Sequence, residues 1–248
     1  MRRFAILQVA LAASVAAGAD AADVRVLSAA AVQVPVTETA EQFMRESGHR
    51  VTFEFVTAGQ VDEKLSAGAR PDVVISSSGR IAARTSANAA DGAAVRDLGT
   101  VRIGVAARKG AARPDLSSAA RFRDSLVRAE SITYGDPARG ATTGIHFSRI
   151  VDQLDLRGIL AGKTILAANG LDVVRKVSRG EAELGITQVS EILHVDPSTL
   201  VGPLPDALQL ATTYVAWTPD PANQAARQLV EALTAKHGRE RFRAAGFD

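Results

Sequence analysis

Short apolar, β-branched runs alternate with segments of helical spacing along nearly the whole chain, and this alternation restricts the fold more than any single motif. Val24 to Ser28 is an extended run, and Pro35 then opens a helix in which Val36, Ala40, Phe43 and Met44 share a face before Gly48 ends it. Val51 to Val56 alternates around Phe53 and Phe55, Val61 to Ala67 is a short helix closed by Gly68, and Asp72 to Ser76 is an apolar strand. The order is βαβαβ. A parallel sheet with helices on both faces and right-handed crossovers follows from it.

A second unit repeats the logic. Val101 to Ala107 is a strand, Gly110 to Ser118 a loop leading into a helix that ends near Ala129, and Ile132 to Tyr134 the next strand. Thr143 to Leu154 is helical, with Phe147, Ile150, Val151 and Leu154 on one face. Strands at Thr164 to Ala167 and Leu184 to Thr187 flank a helix from Leu171 to Arg179. After three prolines, Leu208 to Trp217 is extended, Ala222 to Leu233 is an amphipathic helix, and Gly238 to Phe247 finishes the chain. The expectation is two doubly wound α/β lobes joined by a double crossover hinge. Residues 22–98 and 210–248 would form the first lobe and 99–209 the second, with crossings near Leu98 to Arg102 and Leu208 to Thr213.

The first 21 residues read as a leader rather than as part of the fold. Arg2 and Arg3 precede an uncharged apolar run from Phe4 to Ala17, and Ala19 and Ala21 supply the small residues of a signal-peptidase site. The run falls short of the roughly 20 residues that span a bilayer. The expected location is therefore the periplasm. The absence of cysteine excludes disulfides, thiolate metal sites and a lipid-anchoring cysteine. A net charge of +2 and 4% aromatic residues supply neither the basic stripe nor the stacking platforms of a nucleic-acid partner.

Motifs for catalysis or cofactor binding are incomplete. Gly158 to Thr164 resembles a phosphate loop but is one residue short between its glycines and leads into a strand. No dinucleotide fingerprint is present. His49, His146, His194 and His237 lie in separate elements without metal-ligand spacing, so no metal or cofactor is expected. Ser76-Ser77-Ser78-Gly79 follows a strand but lacks the first glycine of a nucleophile elbow; a serine hydrolase pairing these serines with His146 is the alternative from another functional class.

Four small, polar loops remain, each at the carboxyl end of a strand and before a helix. They are Ser28-Ala29-Ala30-Ala31, Thr57-Ala58-Gly59-Gln60, Gly135 through Gly144 and Thr187-Gln188-Val189-Ser190. In open α/β sheets that edge is the ligand crevice, because the unpaired amides of helix N-termini point into it and favour negative charge. Two loops come from each lobe, so a solute held between them couples binding to hinge closure. The candidate ligand-binding residues are Ser28, Ala29, Ala31, Thr57, Ala58, Gln60, Ser76, Ser77, Arg139, Thr142, Thr143, Gly144 and Gln188.

These loops, together with Gly68 to Ser76, Arg179 to Ile186 and the final Gly246-Phe247, resemble the periplasmic molybdate-binding proteins, type II solute-binding components of ABC importers. The resemblance runs through nearly the whole chain after the leader. It implies two α/β lobes, no catalysis, a monomer, and delivery of a small anion to a membrane permease with its ATPase. Where that family presents serine hydroxyls this chain has Ala31 and Ala58, and where it presents a tyrosine this chain has Gln188. Fewer donors for a tetrahedral oxyanion, and Arg139 with its planar fork in a lengthened loop, point to an organic di- or tricarboxylate, with molybdate or tungstate as the alternative. Arg80 and Arg84 are further candidate anchors.

Overall fold

The computed structural model describes residues 21–85 and 95–248. The expected leader, apart from Ala21, lies outside them. Among the described residues no helix is long and apolar enough to cross a membrane.

Two parallel sheet halves are joined through two antiparallel strands. In the first half β1 (Asp23–Ala29) lies between β2 (Arg50–Val56) and β3 (Val73–Ser77), parallel to both. In the second, β5 (Ile132–Gly135) lies between β6 (Thr164–Ala167) and β7 (Leu184–Gln188), again all parallel. Between them run β4 (Val95–Ala107) and β9 (Ala211–Trp217). β9 is antiparallel to β3 and to the first part of β4, whereas the last part of β4, Ile103 to Ala107, pairs antiparallel with β7. The short β8 (Leu200–Pro203) pairs with the same end of β4.

One thirteen-residue strand thus belongs to both halves. The sequence expectation began this strand at Val101; the structure begins it at Val95, and its partner changes after Arg102. At the change of partner the Gln209 side chain replaces a strand neighbour. Its Oε1 accepts from the Ile103 amide at 2.8 Å and its Nε2 donates to the Ile103 carbonyl at 3.1 Å. The backbone groups left at the crossing are satisfied in this way without a continuous sheet.

The inner strands β3, β5 and β7 are buried almost throughout and read as apolar runs, whereas the edge strands β2 and β6 are partly exposed. Val26 packs beneath α1 (Gln33–Ser47), with Val36, Phe43 and Ile75. Its neighbour Leu27 points to the other face, toward Val61 of α2 (Ala58–Ser66) and Ile81 of α3 (Ser78–Thr85). In the second half Phe122 of α4 (Ala119–Arg128), Phe147 of α5 (Thr142–Gln153) and Leu184 form one core. Val174 and Val177 of α7 (Gly170–Ser178), which follows the short α6 (Arg157–Leu160), share the other with Ile192 of α8 (Val189–Val195). The chain ends on the first half: α9 (Gln224–Thr234) and α10 (Lys236–Ala244) pack against α1, and the Asp248 amide donates to the Thr100 carbonyl of β4 at 2.9 Å.

Candidate functional site

The carboxyl ends of β1, β2, β5, β6 and β7 face one narrow cleft between the halves, and the helices that follow those strands begin there. The first half contributes Ala29, Ala30, Ala31, Val56, Thr57 and Ala58, with Tyr214 from β9. Ala141, Thr142, Thr143, Asn169, Gly170, Gln188 and Glu191 line the opposite wall. The cavity volume is about 30 Å³, room for about two water molecules.

The first turn of a helix leaves its amides without intrahelical acceptors, and side chains usually cap them. Three helices here carry side-chain caps, α8 through the Glu191 carboxylate, which accepts from the Gln188 amide at 3.3 Å. Thr57 accepts from the Gln60 amide at 3.2 Å while the Gln60 side chain accepts from the Thr57 amide at 3.1 Å, a reciprocal pair at the start of α2. Asn169 accepts from the Asp172 amide at 3.0 Å at the start of α7. The others carry none. Ala141 precedes α5, and Ala29 precedes the single 3-10 turn that leads into α1, with no side-chain cap at either. Both alanines are buried on the cleft wall, so water does not freely take the place of a cap. The Thr142 hydroxyl at the same end of α5 is also buried without a hydrogen-bond partner.

Among the lining residues there is no lysine or arginine; the ionisable groups are Glu191 and Tyr214. Burial, with the nearby Glu191 charge adding to it, pushes the Tyr214 phenol far above its usual value, so it is a neutral donor, to Gln188 Oε1 at 3.2 Å. Glu191 is 6% exposed. Burial raises its carboxyl above the usual range, against opposing hydrogen bonds from the Thr187 hydroxyl and the Gln188 amide.

The halves also touch directly at the rim. The Thr57 hydroxyl donates to the Arg139 carbonyl, and the Gly59 amide donates to the Gly140 carbonyl at 3.1 Å.

Of the residues singled out from the sequence, Ala29, Ala31, Thr57, Ala58, Thr142, Thr143 and Gln188 stand on this wall. The remainder do not. The Arg139 side chain is exposed: the turn Pro137–Arg139 directs it outward, and the residue meets the other half through its carbonyl instead of a guanidinium fork. Arg80 pairs with Asp62, and Arg84 donates to the Asp62 carbonyl at 3.3 Å and to Ser66 Oγ at 3.1 Å; both fasten α3 to α2. Ser28 donates to the Ala29 carbonyl at 3.0 Å. Gln60 is occupied in capping, and Gly144 abuts the Gly135 backbone so closely that no side chain fits there. Ser76 and Ser77 lie where β3 pairs antiparallel with β9, opposite Val215 and Tyr214, and neither lines the cleft.

No hydrogen bond joins those serines to His146, whose Nε2 meets the Leu208 carbonyl at 2.9 Å, so the hydrolase arrangement is not formed. The phosphate-loop look-alike has a structural use: Lys163 Nζ donates to the carbonyls of Leu126, Val127 and Ala129 at 3.0, 2.7 and 2.7 Å and so caps the end of α4. Among the described residues no group of three His, Asp or Glu side chains is placed to hold a metal.

Sequence reasoning placed Ala30 and Ala141 in its loops without singling them out, and passed over Val56, Asn169, Gly170, Glu191 and Tyr214. Asn169-Gly170 follows β6 and precedes α7, so the strand-end rule that selected the other loops applies to it equally. Tyr214 has no such signal, because it sits inside the crossing strand.

The crossing strands and the cleft of helix N-termini between two α/β halves define the type II periplasmic binding proteins. Residues 24–248 match the family of bacterial extracellular solute-binding proteins, and the chain belongs to that family. Among solved structures, the periplasmic molybdate-binding protein of Azotobacter vinelandii aligns over 91% of this chain and 98% of its own, with a TM-score of 0.70 at 18% identity. PEB3 with bound L-phospholactate aligns over 91% of this chain and 99% of its own, with a TM-score of 0.64 at 16% identity. An aconitate isomerase of Pseudomonas sp is 37% identical over 147 residues, 56% of this chain and 53% of the isomerase, so the match spans about half of that relative.

Proposed function

We propose that this protein captures a small organic polycarboxylate between its two lobes in the periplasm and presents it to the permease and ATPase of an ABC importer. The observation that carries the reading is the buried, uncapped start of α5 with the unpartnered Thr142 hydroxyl beside it. Native proteins rarely leave such groups unsatisfied, and a bound anion supplies the missing acceptor. Four helix N-termini at about 0.3–1 kcal/mol each, with two or three hydrogen bonds to a charged group at about 1.5–3 kcal/mol each, bracket the roughly 8 kcal/mol of micromolar binding.

Two further points favour a carboxylate over a tetrahedral oxyanion. Ala31 and Ala58 offer the cleft methyl groups where hydroxyls would hold four converging oxygens. A relative matched over half its length carries the name of an enzyme whose substrate is a tricarboxylate. Entry and release would proceed by opening about β4 and β9, the two strands that join the lobes. Residues 22–98 with 210–248, and 99–209, are the bodies that would part.

Melting the protein against cis- and trans-aconitate, citrate, tricarballylate, molybdate, tungstate, sulfate and phosphate tests the reading. A ligand at 100 times its dissociation constant stabilises by about 2.7 kcal/mol, a shift of about 5–11 °C for a chain of this size. A shift with molybdate and none with any carboxylate would overturn it.

A further inference from the structure

A glutamate at the third position of a helix is normally ionised, solvated and welcome near the positive end of the dipole. Glu191 occupies that position in α8, paired with Gln188 as a cap, yet it lies buried on the wall of the cleft. Oε2 takes hydrogen bonds from the Thr187 hydroxyl and the Gln188 amide. The α7 backbone presses against the carboxyl so closely that a side chain at Gly170 would collide with it. No arginine, lysine or histidine among the described residues forms an ion pair with it. A capping role alone would be filled equally well in solvent. A site built only to hold an anion gains nothing from a carboxylate in its wall, which repels the ligand whenever it ionises.

We infer that Glu191 is a catalytic acid and base, and that the cleft moves a proton between the two allylic carbons of an unsaturated polycarboxylate. This rests on the polycarboxylate reading of the same cleft. In the step, a Glu191 carboxylate oxygen takes a proton from the methylene next to the C=C bond. The C–H electron pair becomes the new C=C bond, the old π pair moves outward, and negative charge spreads onto the substrate carboxylate. The uncapped amides of α5 and the Thr142 hydroxyl stand where that charge is held. The carboxyl then returns the proton to the far carbon. One proton leaves, one is delivered and no oxidant or cofactor takes part. Burial raises this carboxyl above the usual carboxylate range, the direction that suits a group that must both accept and donate.

The experiment incubates the purified full-length protein with cis-aconitate, and separately with trans-aconitate, and follows both isomers by proton NMR, with binding measured by calorimetry on the same samples. The expected result is interconversion at a rate proportional to protein concentration, falling about 100-fold or more in Glu191→Gln while binding changes less than tenfold. Glu191→Asp, which keeps a carboxyl on a shorter arm, should retain measurable turnover and serves as the second variant should the glutamine protein not fold. Binding of either isomer without interconversion overturns the catalytic inference and leaves the binding reading standing. Interconversion undiminished in Glu191→Gln removes Glu191 from the chemistry. No binding of any polycarboxylate overturns both.

Discussion

The rim contact between Gly59 and Gly140 sets up a substitution whose effects on stability and on binding have opposite signs. A Cβ at Gly59 would lie 2.5 Å from the Gly140 Cα and 3.0 Å from its carbonyl oxygen. Carbon atoms rest at about 3.5–4.0 Å, so Gly59→Ala forces the rim open by roughly 1–1.5 Å. That distance breaks the Gly59 to Gly140 amide bond and the Thr57 to Arg139 hydroxyl bond together. At about 0.5–1.5 kcal/mol each, the closed state loses about 1–3 kcal/mol, a 5- to 150-fold weaker affinity if the solute-holding state keeps this rim contact. Gly59 lies in α2, where alanine is the better helix former by up to about 1 kcal/mol, so the ligand-free protein should melt no lower than the parent. Calorimetric titration with the ligand identified by the melting panel, alongside melting without ligand, reads both quantities. Unchanged affinity would show that the rim contact is no part of the solute-holding state, and a lower melting temperature without ligand would show that the glycine serves the lobe's own packing.

Thr142→Val keeps the shape and removes a buried hydroxyl that has no partner, so stability without ligand should hold or rise while affinity falls by about 1–3 kcal/mol; equal affinity in calorimetry would place the hydroxyl outside the site. Arg139→Ala should change affinity less than threefold, because the side chain is exposed and the contact with Thr57 runs through the carbonyl; a tenfold loss would restore the guanidinium as an anchor. Glu191 binds its proton more tightly in the folded chain than in the unfolded one, where a glutamate titrates near about 4.3. Its stabilising contribution is therefore full below that value and is lost as pH rises through the raised one. Melting temperature against pH should decline more steeply for the parent than for Glu191→Gln across that interval, and parallel curves would show the carboxyl to be solvated.

Most of the strand and helix order was legible because the inner strands are buried on both faces and read as apolar runs, β2 alternates at an edge, and each long helix repeats its apolar positions at helical spacing. The short helices α3 and α8 were not, since Ser78 to Thr85 and Val189 to Val195 are too brief for periodicity to separate them from the strand ends they follow. The cleft was legible to the extent that local order determines it. Ala29, Ala31, Thr57, Ala58, Thr142, Thr143 and Gln188 follow their strands directly, and a parallel sheet must send those turns to one edge. Ser76 and Ser77 satisfied the same rule yet do not line the cleft; their strand has the antiparallel β9 beside it, and Tyr214 of that strand takes the place on the wall.

Side-chain direction and long-range pairing were beyond local reading. Arg139 lies in the right loop, but whether an arginine turns into a cleft depends on what its backbone bonds to across the gap, here the Thr57 hydroxyl 82 residues away in sequence. Glu191 looks like an ordinary helix cap until the packing of Gly170 against it removes the solvent. Tyr214 reaches the cleft only because the chain returns between the halves on β9. Pattern and turn chemistry act over a few residues, so the sequence alone determined the two-lobed α/β class and the sheet edge at which the cleft lies. Burial, cross-cleft hydrogen bonds and the choice of which groups go unpartnered are sums over residues distant in the chain, and the tertiary structure decided those.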